Sequence, residues 1–174
     1  MPLLSSEVIA DRVRQLATSI SSTYANHDLL LVPILRGAFI FAADLARAIT
    51  IDHRIDFLQL SSYKGTQSVG TVSVDKDLNT DITGRSVLIV EDIVDTGRTI
   101  STTLDILRDR NPASLEVVTL LSKPSPRNID NSIRWTGFEI DDVFVVGYGL
   151  DLDGRYRKLP YIAKTTTTVG GAFL

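Results

Sequence analysis

Over 174 residues, 18 Lys and Arg stand against 21 Asp and Glu, a formal charge of 18 − 21 = −3, which lacks the broad basic surplus that nucleic-acid binding draws on. The length, with 44% hydrophobic and 22% charged residues, suits one globular core and excludes disorder for most of the chain. With no cysteine and only His27 and His53 as imidazoles, disulfides and thiolate nucleophiles are excluded, zinc chemistry is disfavoured, and any metal is expected to be a hard cation held by carboxylates.

Residues 1–7 carry no basic segment followed by an apolar one, and the apolar runs at 29–32 and 38–43 fall far short of a membrane span, so a cytoplasmic protein with no membrane partner is expected. From 7 to 21, Ile9, Val13, Leu16 and Ile20 recur at i, i+4, i+7 and i+11, one face of a helix that Ser5 or Ser6 can cap. Residues 29–32, followed by Pro33, read as a short buried strand; after Arg36-Gly37, residues 38–49 read as a buried Ala-rich helix. A second strand is expected at 55–60. The stretch 61–85 is rich in Ser, Thr, Asp and Gly, with one short strand at 71–74, and its length suggests a mobile cover over a site. Next come a buried strand at 87–90 and a helix striped by Ile100, Leu104 and Leu107 and closed by Asn111-Pro112, then apolar strands at 115–121 and 143–146. Continuous apolar strands alternating with helices predict an α/β fold with a mostly parallel sheet covered on both faces. In such sheets ligands sit beyond the carboxyl ends of the strands.

The strand at 87–90 runs into Glu91-Asp92-Ile93-Val94-Asp95-Thr96-Gly97-Arg98-Thr99 and then directly into a helix. Carboxylates crowded at a strand end need cations or hydroxyls to meet them. Gly97 permits close backbone approach, and the helix-start N–H groups with the hydroxyls of Thr96 and Thr99 suit a phosphate. Neither GxxxxGK[ST] nor GxGxxG occurs, so a P-loop or classical dinucleotide site is not supported. Taken alone, Lys123 in Ser-Lys-Pro-Ser-Pro-Arg also reads as a surface lysine on a rigid turn, and Phe144 as a core residue. Asp151-Leu-Asp153-Gly154 is not a calcium loop, because its glycine falls at the fourth position rather than the sixth.

Residues 87–99 resemble the 5-phosphoribosyl-1-diphosphate (PRPP) binding motif of type I phosphoribosyltransferases: hydrophobics, two acids, two hydrophobics, then Asp-Thr-Gly-x-Thr. From 29 to 164 the chain resembles the hypoxanthine(-guanine) branch. The resemblance implies a single domain over 1–174 with a type I phosphoribosyltransferase fold, a small hood and a long flexible loop at about 61–85. It implies that Glu91 and Asp92 meet the ribose hydroxyls and, directly or through water, a Mg²⁺ ion, that Asp151, beside the purine, approaches the diphosphate-bound Mg²⁺, and that Asp95, Thr96, Gly97, Arg98 and Thr99 cradle the 5′-phosphate. Asp95 would also manage the purine N7 proton while N9 attacks the anomeric carbon, as a general acid/base. Lys123 would donate to the purine 6-oxo group, Phe144 would stack on the base, and the Val145 backbone would read its N1/C2 edge. Leu35, Arg36 and Gly37 correspond to a diphosphate-binding loop with a cis peptide before Arg36, and Arg157 to an arginine on the leaving diphosphate. Ser62-Tyr63 resembles the pair in a loop that closes during reaction. The implied partners are PRPP, hypoxanthine or guanine, IMP or GMP, and diphosphate, in a homodimer or homotetramer. A PRPP-sensing regulator and a xanthine-preferring transferase are the alternatives.

Overall fold

The structure, a computed structural model, describes residues 2–62, 72–124 and 132–165. Helix α1 (Ser6–Thr23) forms on the expected stripe: Ile9, Val13, Leu16, Ala17 and Ile20 are buried, and the Val8 N–H donates to Ser5 Oγ at its start. Burying a side chain of this kind stabilises by about 1.5–3 kcal/mol. Strand β1 (Leu29–Leu35) leads into helix α2 (Phe39–Ala48), and β2 (His53–Ile55) and β3 (Leu58–Ser62) follow.

The strand expected at 55–60 is thus two strands. Both run parallel to β1: β2 pairs with its first half, Leu29–Leu31, and β3 with Ile34 and Leu35. The break falls at Asp56, which is buried and whose carboxylate accepts N–H bonds from Phe57, Asn79 and Thr80. Those bonds also tie down part of the stretch expected to be a mobile cover. Within it, β4 (Val72–Lys76) pairs antiparallel with β3, Ile82 is buried, and Arg110 bonds Asp77. Residues 63–71 of that stretch, Tyr63 among them, lie outside the described residues.

Strand β5 (Ser86–Val94) follows, then helix α3 (Arg98–Arg108), β6 (Ser114–Ser122) and β7 (Ile133–Glu139). The sheet order is β4-β3-β1-β5-β6-β7, with every pairing parallel except β3–β4. Alternation along the strands feeds two cores. Leu29, Leu31, Leu88 and Val90 face α1 and α2, while Leu30, Val32, Val87 and Ile89 face α3 through Ile100, Leu104 and Leu107. That is the α/β, mostly parallel arrangement expected.

The strand expected at 143–146 differs. Because β7 occupies the edge beside β6, the chain turns away at 141–144, and only β8 (Val145–Val146) forms. It pairs antiparallel with β9 (Ala163–Lys164) in a separate two-stranded sheet, braced by a bridge between Leu4 and Ile162. Among the described residues no helix is long and apolar enough to cross a membrane.

Candidate active site

The site is assembled at the carboxyl ends of β5 and β6, the turn after β1, and the segment around β8. Strand β5 does not stop at Val90: its pairing with β6 continues through Glu91↔Thr119, Ile93↔Leu121 and Val94↔Ser122. Glu91 and Asp92, expected beyond the strand, therefore lie inside it and are buried. Burial first, then the neighbouring charge of Asp92, pushes the Glu91 carboxyl well above the ordinary carboxylate range. Burial raises Asp92 as well, held back by its hydrogen bonding with Glu91 and with the Ile93 N–H.

Glu91 Oε2 is buried with no hydrogen-bond partner. Two adjacent buried carboxylates, one with an unsatisfied oxygen, form a donor set that suits a hard dication. Among the described residues no group of three or more acidic or imidazole side chains gathers closely enough to encage a metal. A cation there would take its other ligands from substrate oxygens or water. Asp151 is not gathered with Glu91 and Asp92. One of its oxygens pairs with Arg157 at 2.7 Å and the other accepts the Gly154 N–H at 2.7 Å.

Two loops interlock against Asp92. The Leu35-Arg36 peptide is cis. Gly37 follows, and a Cβ there would lie 1.7 Å from Asp92 Oδ2, so the carboxylate fills the space a side chain would need. Gly149, at φ +102°, would place a Cβ 2.2 Å from the Gly37 carbonyl oxygen. Next to it, Tyr148 is buried and donates its hydroxyl to Asp44 Oδ2 of α2 at 2.5 Å. Burial, then that bond, pushes the Tyr148 phenol up. Arg157 belongs to the same knot: its Nη1 donates to the Gly149 carbonyl at 2.6 Å.

Past β5, Asp95 and Thr96 are exposed, and Gly97 takes φ +72° at the cap of α3. No side chain caps this helix, and the first intrahelical bond is donated by the Ser101 N–H to Gly97 O at 2.9 Å. The preceding N–H groups lack helical acceptors, the usual condition for anion binding at a helix start. Arg98 and Thr99 are exposed beside them.

Lys123 follows β6, its N–H donating to Val94 O at 2.9 Å. Its side chain is only 10% exposed, with Nζ 3.4 Å from Asp95 Oδ2 and 3.1 Å from Asp142 Oδ1. A cavity of about 220 Å³ opens here, lined by Ile93, Asp95, Lys123, Phe144, Val145, Leu150 and Asp151. Phe144 is not a core residue: it is 48% exposed, while Val145 and Leu150 are buried. A larger groove of about 530 Å³ between α1 and α2 holds none of these groups, and its two arginines are paired with Asp11 and Asp44.

The cavity unites Asp95, Lys123, Phe144, Val145 and Asp151, which are spread over 57 positions of the sequence as far as Asp151. The loop Asp95–Thr99 adjoins it, and Leu35–Gly37 sits behind Asp92. Ser62 ends β3 and Tyr63 lies outside the described residues. Two contributors escaped the sequence reading. Ile93 looks like one more residue of an apolar run, and Asp142 is one of many surface acids; neither carries a local signal.

Residues 3–153 match the phosphoribosyl transferase domain. The chain is 48% identical over 165 residues to a hypoxanthine phosphoribosyltransferase of Buchnera aphidicola, covering 93% of each. It is 48% identical over 167 residues to a hypoxanthine-guanine phosphoribosyltransferase of Mycobacterium avium, covering 92% of this chain and 82% of that protein. Among solved structures it superposes on the Trypanosoma cruzi hypoxanthine phosphoribosyltransferase in complex with the product IMP, with a TM-score of 0.86 and 38% identity over 94% of this chain and 92% of that one.

Proposed function

The chain belongs to the phosphoribosyl transferase domain family, in its hypoxanthine(-guanine) branch, and on that footing we propose how its residues divide the work. The enzyme is a purine salvage transferase: it moves the 5-phosphoribosyl group of PRPP to N9 of hypoxanthine, and of guanine, giving IMP or GMP and diphosphate. As the C1–N9 bond forms, the bond from C1 to the diphosphate oxygen breaks, and the imidazole proton of the base must leave.

Asp95 takes that proton at N7, which stabilises the charge that would otherwise grow on the ring as N9 attacks. Lys123 donates to the 6-oxo group. A 6-amino group in its place would set donor against donor, so adenine is rejected. Phe144 stacks on one face of the base and the Val145 backbone reads the N1/C2 edge. The N–H groups at the start of α3, with Thr96, Gly97, Arg98 and Thr99, hold the 5′-phosphate. Leu35, Arg36 and Gly37 hold the diphosphate, joined by Arg157 once it leaves Asp151 and the Gly149 carbonyl.

Glu91 and Asp92 meet the ribose hydroxyls and, directly or through water, would hold Mg²⁺, whose contribution is to neutralise diphosphate charge; Asp151, lying apart from them, would approach a diphosphate-bound Mg²⁺ once released from Arg157. Phosphates gripped at both ends of the sugar hold the anomeric carbon near N9, where proximity lowers the barrier. Ser62 and Tyr63 begin the cover that keeps water from the reacting centre. A homodimer or homotetramer is expected, which sedimentation would test. The compartment is the cytoplasm, where a multiply charged donor that cannot cross lipid is retained.

The observation that carries this reading is the cavity holding an acid, a cation and an open aromatic ring beside an uncapped helix start. The test is nucleotide formation, followed by chromatography, with Mg²⁺ and PRPP against hypoxanthine, guanine, xanthine, adenine and uracil. Product from hypoxanthine and guanine but from neither adenine nor uracil is expected. PRPP binding with no base converted would refute the reading in favour of a PRPP sensor.

A further inference from the structure

We propose that Asp142 is a positioning residue for purine recognition, holding the Lys123 ammonium off Asp95 so that both groups face the base. The inference rests on the reading of Lys123 as the donor to the 6-oxo group.

The geometry comes from three neighbouring parallel strands. Val94, Ser122 and Glu139, the last residues of β5, β6 and β7, are paired in register. Asp95 and Lys123 each come next after their strand, and Asp142 lies at the turn just past β7. Backbone bonds fix the row: the Lys123 N–H donates to Val94 O at 2.9 Å and the Ile140 N–H to Ser122 O at 3.0 Å. An acid, a base and an acid therefore stand side by side across the strand ends. Lys123 is the middle member and nearly enclosed, its side chain 10% exposed against 58% for Asp95 and 83% for Asp142.

An ammonium has three N–H donors on a flexible four-carbon stem. Facing Asp95 alone, it would close on that carboxylate as a contact pair. That would take the donor away from the base oxygen and the acceptor away from the imidazole edge of the base. With Asp142 on the other side the ammonium is shared, 3.1 Å from Asp142 and 3.4 Å from Asp95, and the cavity bounded by Lys123 and Asp95 stays open between them. Two donors are engaged and the third remains for an acceptor inside the cavity. The adjacent Asp141 does not compete for Lys123, since it lies 3.8 Å from Lys164 Nζ of β9.

The test is steady-state kinetics on the full chain with Asp142→Asn, Asp142→Glu, Lys123→Ala and the double variant Lys123→Ala/Asp142→Asn. For an exposed ion pair, Asp142→Asn should raise the KM for hypoxanthine about three- to fivefold. The kcat should fall as well, because Lys123 then closes on Asp95, while the KM for PRPP should stay within about twofold, and Asp142→Glu should restore both kcat and the KM for hypoxanthine. In the Lys123→Ala background Asp142→Asn should add nothing, an outcome that a merely structural role would not produce. If Lys123→Ala raises the KM for hypoxanthine and Asp142→Asn does not, or if Asp142→Asn acts equally in both backgrounds, the role of Asp142 is overturned and that of Lys123 stands. If Lys123→Ala itself leaves the KM for hypoxanthine unchanged, the reading beneath the inference fails.

Discussion

Replacing Gly149 by Ala probes whether the loop carrying Leu150 and Asp151 is seated on the loop at Gly37. The new Cβ would lie 2.2 Å from the Gly37 carbonyl oxygen, and the residue would have to hold φ +102°. An ordinary carbon–oxygen approach is about 3.3 Å, so one backbone must retreat by about 1.1 Å. Neither side is a flexible side chain that can swing away. Overpacking of this kind destabilises by about 1–3 kcal/mol, and a left-handed backbone at a non-glycine residue by about 1–2 kcal/mol, about 2–5 kcal/mol together. Gly154→Ala is the control: Gly154 has φ +76° but nothing within 4 Å of the added methyl, so it should lose only the backbone contribution, about 1–2 kcal/mol. Urea unfolding of the two variants gives the difference, which is the steric contribution of the loop contact. Gly149→Ala should also raise the KM for PRPP, because Gly37 in turn bears on Asp92, whereas Gly154→Ala should not. Equal destabilisation by the two substitutions would show that the close approach carries nothing and would refute the interlocked-loop account.

Asp95→Ala should lower turnover with hypoxanthine by about 10²–10⁴-fold while changing PRPP binding far less, as measured by kcat and by equilibrium binding of the donor; an unaltered kcat would end its assignment as proton acceptor. Burial works to raise the Asp56 pKa, but the amide bonds from Phe57, Thr80 and Asn79 outweigh it and hold the carboxyl below the usual aspartate range. Its contribution to stability is therefore fully present above the unfolded-state value of about 3.9 and is lost as pH falls through the lower folded-state value. Asp56→Asn should flatten the acid limb of a stability-against-pH curve, and parallel limbs would contradict this. Glu91 behaves oppositely: burial, then the Asp92 charge, raises its folded-state pKa, so it withdraws stability as pH rises above the unfolded value. Thermal melting at pH 7 without ligand should show Glu91→Gln at least as stable as the parent chain, with a raised KM for PRPP; a clear loss of stability would mean that the hydrogen bonding between Glu91 and Asp92 outweighs the burial of the unsatisfied Oε2.

Much of the fold is local and was legible as such. The stripe Ile9, Val13, Leu16 and Ile20 has the period of a helix wherever that helix is placed, and the apolar runs around Leu29 and Val87 can be buried on both faces only in a covered parallel sheet. The run from Glu91 to Thr99 was equally visible, because a phosphate loop is built from contiguous backbone and needs its glycine at one position. Strand β7 was missed because it lies at the sheet edge and alternates in burial, with Arg134 exposed beside the buried Trp135. An alternating edge strand carries a weaker signal than a continuous apolar run. The stretch 61–85 was expected to be loop apart from one short strand, because neither polar composition nor spacing reveals that Asp56 binds the backbone of Asn79 and Thr80.

What the amino-acid order determined by itself was periodicity and contiguous motifs, since both depend on neighbours in the chain. What only the tertiary structure decided was juxtaposition: Asp92 in the space left by Gly37, Gly37 under Gly149, and Lys123 between Asp95 and Asp142. Those contacts depend on the order in which strands lie in the sheet and on where each strand ends. Strand order comes from packing two cores around one sheet, and no residue records in its own neighbourhood which distant residue it will meet.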